Sequence, residues 1–142
     1  MPKVQSNLVE KCLRDLLRER DYKMNEIRGN GETGVDIEAR KDDNVFHIEV
    51  ISYKKKGPAR SKDFFQVFFR AISRLNDGAT HCVIALPLEF ETGLPKRVKQ
   101  YKIAWERIGN VFPELEIWLV DPESKKCKRT KWIEWLPQSK IW

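Results

Sequence analysis

At 142 residues the chain is long enough for one domain with a real core, and its 27 Lys and Arg against 21 Asp and Glu, a formal charge of +6, favour polyanionic partners. Cys12, Cys82 and Cys127 are widely spaced and fit no Cys-x-x-Cys or Cys/His pattern, which argues against a zinc site or a disulfide framework and points to a reducing, cytoplasmic setting. No window approaches the roughly 18 apolar residues of a membrane span and the start has no signal-peptide core, so no membrane role is expected.

Ser6 and Asn7 are good helix caps, and Leu8, Cys12, Leu13, Leu16 and Leu17 recur at helical spacing up to about Arg20. Tyr22 to Arg28 reads as a short strand, ended by a turn at Gly29, Asn30, Gly31 and Gly34. Val35, Ile37 and Ala39 then alternate with Asp36, Glu38 and Arg40, and Val45 to Tyr53 is rich in strand formers. The two predict a hairpin closed near Asp42, Asp43 and Asn44. Lys54 to Ser61, broken by Gly57 and Pro58, reads as a loop. A helix follows whose Phe64, Phe65, Phe68, Phe69, Ile72 and Leu75 are expected to face the core, with Lys62, Gln66, Arg70, Ser73 and Arg74 on the other side. Asn76 to Gly78 ends it. His81 to Leu86 is a strand buried on both faces, Lys96 to Ile108 a second helix and Leu115 to Val120 a further strand. The order αβββαβαβ predicts an α/β domain, a mixed sheet flanked by helices.

Hydrolysis of a phosphodiester with Mg²⁺ needs two or more carboxylates aimed at one point, because Mg²⁺ takes oxygen ligands and keeps several waters. The hairpin supplies a pair. Asp36 opens one strand and Glu49 lies on its partner, so a tight turn brings both side chains to one face near one end. Glu10, at the edge of the first helix's apolar stripe, can approach the same end. His47 shares Glu49's side of the strand, although a strand histidine is more often a structural hydrogen-bonder than a ligand.

From about residue 7 to residue 86 the chain resembles the PD-(D/E)XK nuclease superfamily, the restriction-endonuclease-like fold. Glu10 matches that family's helical acid, Gly34-Val35-Asp36 its Gly-x-Asp strand start, and Glu49-Val50-Ile51 its Glu-x-Lys segment. Gln66 and Arg70 fall where the following helix often carries a Gln and a base. The resemblance implies that Asp36, Glu49 and the Val50 carbonyl hold Mg²⁺ or Mn²⁺, with Glu10 and Gln66 assisting. The chain's length and its lack of a Pro/Gly-rich linker predict a single nuclease-like domain over 1–142, of which 121–142 is a basic, Trp-containing C-terminal extension. In layout the chain is loosely similar to archaeal-type Holliday-junction resolvases.

One position departs from the pattern. Ile51 stands where the family uses a lysine to orient the attacking water and offset transition-state charge. Lys54 and Lys55 are roughly 16 to 20 Å from Glu49 along a straight strand. A base reaching over from the helix is easier to build, and Arg70 is the first candidate. It can stabilise charge but, always protonated, cannot act as a base.

The cluster Lys54, Lys55, Lys56, Arg60 and Lys62 has no acid until Asp63 and is expected to grip backbone phosphates. Trp132, Trp135 and Trp142 lie among Lys128, Arg129 and Lys131, where packing or a dimer contact is the commoner explanation and stacking on bases the alternative. The leading expectation is therefore a Mg²⁺-dependent endonuclease acting on nucleic acid, DNA rather than RNA. A homodimer stays open, since cutting both strands often needs two copies of so small a site. The alternative, supported by Ile51, is a degenerate nuclease fold that binds nucleic acid or a protein without cleavage; a third is an interaction module with no nucleic-acid role.

Overall fold

The computed structural model describes residues 6–26 and 36–137. Ile27, Arg28, the expected turn at Gly29 to Gly34, Val35 and Trp142 lie outside them. Helix α1 spans Ser6–Glu19, so Ser6 and Asn7 fall inside it. Val9, Cys12, Leu13 and Leu17 face inward, whereas Leu8 is exposed. Strand β1 is short, Lys23–Met24, and pairs antiparallel with β2, Ile37–Lys41. The predicted hairpin forms between β2 and β3, Asn44–Val50, with Asp42 in the left-handed region (φ 55°) that a short polar side chain tolerates.

Helix α2 begins at Gly57 and runs to Ser73. The expected loop to Ser61 is thus shorter, because Pro58 sits in the first turn, where its missing N–H costs nothing and its fixed φ suits the helix. A second correction concerns its faces. Phe64, Val67 and Ala71 are buried, but Phe65 and Phe69 point outward, 45% and 68% exposed. A 3-10 turn over Arg74–Asp77 ends the helix at Gly78, which adopts φ 82°. Strand β4, His81–Pro87, follows as expected.

The single helix expected over Lys96 to Ile108 is two, α3 (Leu94–Gln100) and α4 (Lys102–Val111), broken at Tyr101. Strand β5 spans Leu115–Asp121 and is followed by β6, Lys126–Lys131, which the sequence pattern did not reveal. The six strands lie in chain order; β3–β4 and β4–β5 pair parallel, the others antiparallel. This is an α/β domain with a mixed sheet flanked by helices.

Strand alternation divides the core in two. Ile37, Ala39, Ile48, Val50, Val83, Ala85, Trp118 and Val120 pack beneath α1. Ile51, Tyr53, Ile84, Leu86, Ile117 and Leu119 pack with Phe64, Val67, Ala71, Leu94, Val98 and Trp105 on the other face. Burying each large aliphatic side chain contributes about 1.5–3 kcal/mol. Trp132 belongs to this second core: its ring stacks 3.7 Å from that of Trp105, and each indole N–H donates to the other's backbone carbonyl at 2.9 Å. Among the described residues no helix is long and apolar enough to cross a membrane.

Candidate active site

The site is built at the end of the β2–β3 hairpin. Ile37 pairs with Ile48, which places Asp36 across from Glu49. Because Ile37, Ile48 and Val50 fill the core under α1, the parity of β3 turns His47, Glu49 and Ile51 toward α2. Asp36 is fixed at the hairpin's mouth from two sides. Its Oδ2 accepts the Val50 N–H at 2.9 Å, and its backbone carbonyl accepts from Arg14 Nη2 at 2.9 Å.

Arg14 ties this corner together. It is buried, its Nε donates to Glu10 Oε2 at 2.8 Å, and its Nη1 donates to the Asn25 carbonyl at 2.6 Å. Glu10 therefore reaches the Asp36 corner through Arg14. Arg14 is not singled out by the site's sequence motifs, although its place four residues after Glu10 is the spacing at which helical ion pairs meet.

Glu49 is only 2% exposed. Its Oε1 accepts from Arg74 Nε at 2.9 Å and lies 2.8 Å from Arg74 Nη2. Burial pushes the Glu49 carboxyl up to about 7, and the negative charge of Asp36 pushes the same way; the bond and charge of Arg74, then the charge of Arg70, oppose them. Arg74 also pairs with Asp77 at 3.2 Å. Burial acts against its charge, but its bonds to Glu49 and Asp77 prevail and raise its pKa. Arg74 continues the stripe Lys62, Gln66, Arg70 by one more step of four, a signal available in the sequence. Gln66 and Arg70 are exposed on α2, and only Arg70 bears electrostatically on Glu49.

His47 is buried with Nε2–H directed at Glu38 Oε1, 3.1 Å away, which leaves Nδ1 buried without a partner among the described residues. Burial lowers its pKa despite Glu38, so the neutral ring is favoured. Among the described residues no three His, Cys, Asp or Glu side chains converge on one point. A divalent ion here would have two carboxylates and otherwise main-chain oxygen and water, a donor set that suits Mg²⁺, which retains its waters.

Residues 2–100 match the family model Mrr_cat, described as restriction endonuclease. The chain belongs to this family. With it come the PD-(D/E)XK superfamily and the restriction-endonuclease-like fold seen above. No curated protein matches the chain.

In this member of the restriction endonuclease family the position expected to match the lysine is apolar and buried. Ile51 is 7% exposed and packs in the core beneath α2, so its side chain completes the hydrophobic layer next to Glu49. The cation beside Glu49 comes from Arg74 instead. Of the expected phosphate-gripping residues, Lys54 pairs with Asp63 at 3.0 Å, and Arg60 donates through Nη1 to the carbonyls of Lys54 and Lys55, both at 2.8 Å. Lys55, Lys56 and Lys62 are exposed.

Proposed function

We propose that the protein is a metal-dependent endonuclease that hydrolyses DNA phosphodiesters, with Asp36 and Glu49 as its metal-holding pair. The observation that carries this reading is the buried carboxylate of Glu49 facing the like charge of Asp36 in a nuclease-family fold. Two acids held that close oppose each other's ionisation, and a cation between them relieves the cost. Asp36, Glu49 and the Val50 carbonyl would hold Mg²⁺ or Mn²⁺, which would supply an activated water and charge neutralisation at the phosphoryl oxygens. The Val50 N–H and Arg14 hold Asp36 in place. Arg74, four positions after Arg70, would offset the negative charge that builds on the phosphoryl oxygens, in the role the family gives to lysine. It orients and stabilises and does not abstract a proton. Glu10 acts through Arg14, Gln66 lines the approach from α2, and Lys54, Lys55, Lys56, Arg60 and Lys62 guide the backbone.

A second reading, binding without cleavage, is favoured by the two Arg74 contacts on Glu49 Oε1, which already compensate the acid that a metal would need. Thermal melting separates the two. Mn²⁺ or Mg²⁺ in the millimolar range is expected to raise the Tm of the wild type by several degrees, more at pH 8 than at pH 6, because a metal binds the ionised form of Glu49. Asp36→Ala is expected to lose that response. An equal response in both proteins contradicts the metal site.

A further inference from the structure

Tyr53, four residues beyond Glu49, lines an open cleft of about 400 Å³ together with Arg60, Ser61, Glu89, Lys96 and Arg97. Neither Asp36 nor Glu49 borders it. Arg97 is its unusual member. The guanidinium lies over the rings of Phe64 and Phe90, 5.3 and 5.9 Å from their centroids, and Nη2 donates to Ser61 Oγ at 3.1 Å. Its Nε is buried and has no acceptor among the described residues. Gly93 makes the room: a Cβ there would stand 3.2 Å from Arg97 Nη1.

Arg60 brings a second guanidinium, 4.7 Å from the centre of the Tyr53 ring and, among the described residues, anchored through Nη1 alone. Among the described residues neither arginine has a carboxylate within ion-pair distance. Burial, then the like charge of Arg60, holds the Arg97 guanidinium below its ordinary range. Three cations, Arg60, Lys96 and Arg97, thus line the cleft against one acid, Glu89. Folding alone gives no return for holding two guanidiniums together with a buried N–H unused, whereas an oxyanion with several acceptors meets both forks at once.

We propose that this cleft binds the phosphate group of a nucleotide, with Arg60 and Arg97 as its guanidinium donors and Lys96 at its exposed edge. A phosphate fits better than a carboxylate because it offers more oxygens and more charge to three cations. The volume falls within the range of small-ligand pockets, so part of a nucleoside fits beside the phosphate. That the phosphate belongs to a nucleotide rests on the nuclease reading above, but the cleft uses neither of its carboxylates and is tested without metal or cleavage. The phosphate has two sources, a free mononucleotide or a polynucleotide strand.

Inorganic phosphate is titrated into the full chain at constant ionic strength, with chloride as the control, and read by Tm and by the Arg97 Nε–H resonance in ¹H–¹⁵N spectra. Phosphate is expected to raise the Tm of the wild type and equally of Asp36→Asn, and to move the Arg97 resonance. In Arg97→Gln the half-saturating concentration is expected to rise about tenfold, and in Lys96→Gln about threefold. Lys96 is exposed, so its variant keeps the test open should Arg97→Gln fold poorly. Displacement of phosphate by a mononucleotide but not by a single-stranded oligonucleotide supports the cleft as a free-nucleotide site. Stronger displacement by the oligonucleotide, weakening steeply with salt, supports it as a strand-binding site. A wild-type phosphate response no larger than that of chloride, or equal phosphate responses in the wild type and both variants, overturns the proposal.

Discussion

Two charged corners of the molecule, one at the hairpin end and one at the cleft beyond Tyr53, treat charge in opposite ways. At the hairpin end the acids are answered from within: Glu49 by Arg74, and Glu10 by Arg14, which also holds the Asp36 carbonyl. At the cleft beyond Tyr53 two arginines meet with no acid paired to either among the described residues. Internal compensation makes the first corner part of the fold's stability as well as its chemistry. The second contributes little to the fold, which is why its cations call for a ligand. A residue's charge therefore says less about its role than whether the fold has already neutralised it.

The sharpest way to break this contrast is Arg74→Ala. It leaves Glu49 buried without its partner, and the expected loss is about 4 kcal/mol in urea denaturation at pH 8. At pH 5.5 the loss should be much smaller, because Glu49 then carries a proton. The sign follows from its raised pKa: between its ordinary value of 4.5 and about 7 the folded protein holds the proton more tightly than the unfolded chain. Stability therefore falls as pH rises through that interval, by about 3 kcal/mol from this group, and Glu49→Gln should remove that slope. An equal loss for Arg74→Ala at both pH values would mean that Arg74 serves mainly as packing.

Ile51→Lys, which restores the family's residue, is expected to cost about 3 kcal/mol, because the side chain would place an ammonium in the apolar layer under α2. A variant as stable as the wild type, with faster cleavage, would show that the layer yields to a lysine. The smallest effect belongs to the cleft. Without phosphate, Arg97→Gln should cost about 1 kcal/mol or less, the loss of its contacts with two rings and Ser61 being offset by relief of its repulsion with Arg60. A loss as large as that of Arg74→Ala would erase the distinction between the corners.

The hairpin, strands β4 and β5 and the Asp36–Glu49 pair were legible because strand alternation and chain order place them without reference to distant partners. The inward face of α2 was legible only in part. Phe64 and Phe65, then Phe68 and Phe69, offer two overlapping apolar stripes, and the small residues Val67 and Ala71 decide for the stripe containing Phe64 and Phe68. Strand β6 was hidden because Lys126–Lys131 is mostly Lys and Arg, the composition that protects a sheet edge. Tyr101 breaks the third helix without a Pro or Gly to announce it. Arg74 was visible on the right stripe, but nothing local says that a helix-end arginine will reach a carboxylate 25 positions back in the chain. The burial of Arg97 depends on Phe64, Phe90 and Gly93 meeting in space, which no spacing encodes.

If Asp36 and Glu49 form a working metal site, cleavage depends on both side chains and on the metal. Labelled single-stranded, duplex and branched DNA should be incubated with Mg²⁺ and, separately, Mn²⁺, using the wild type beside Asp36→Ala and Glu49→Ala. Cutting by the wild type that requires the metal and is lost in both variants is the predicted result. No cutting of any substrate by a folded wild type that still binds DNA in a salt-sensitive manner would contradict it, and would leave a nuclease fold kept for recognition.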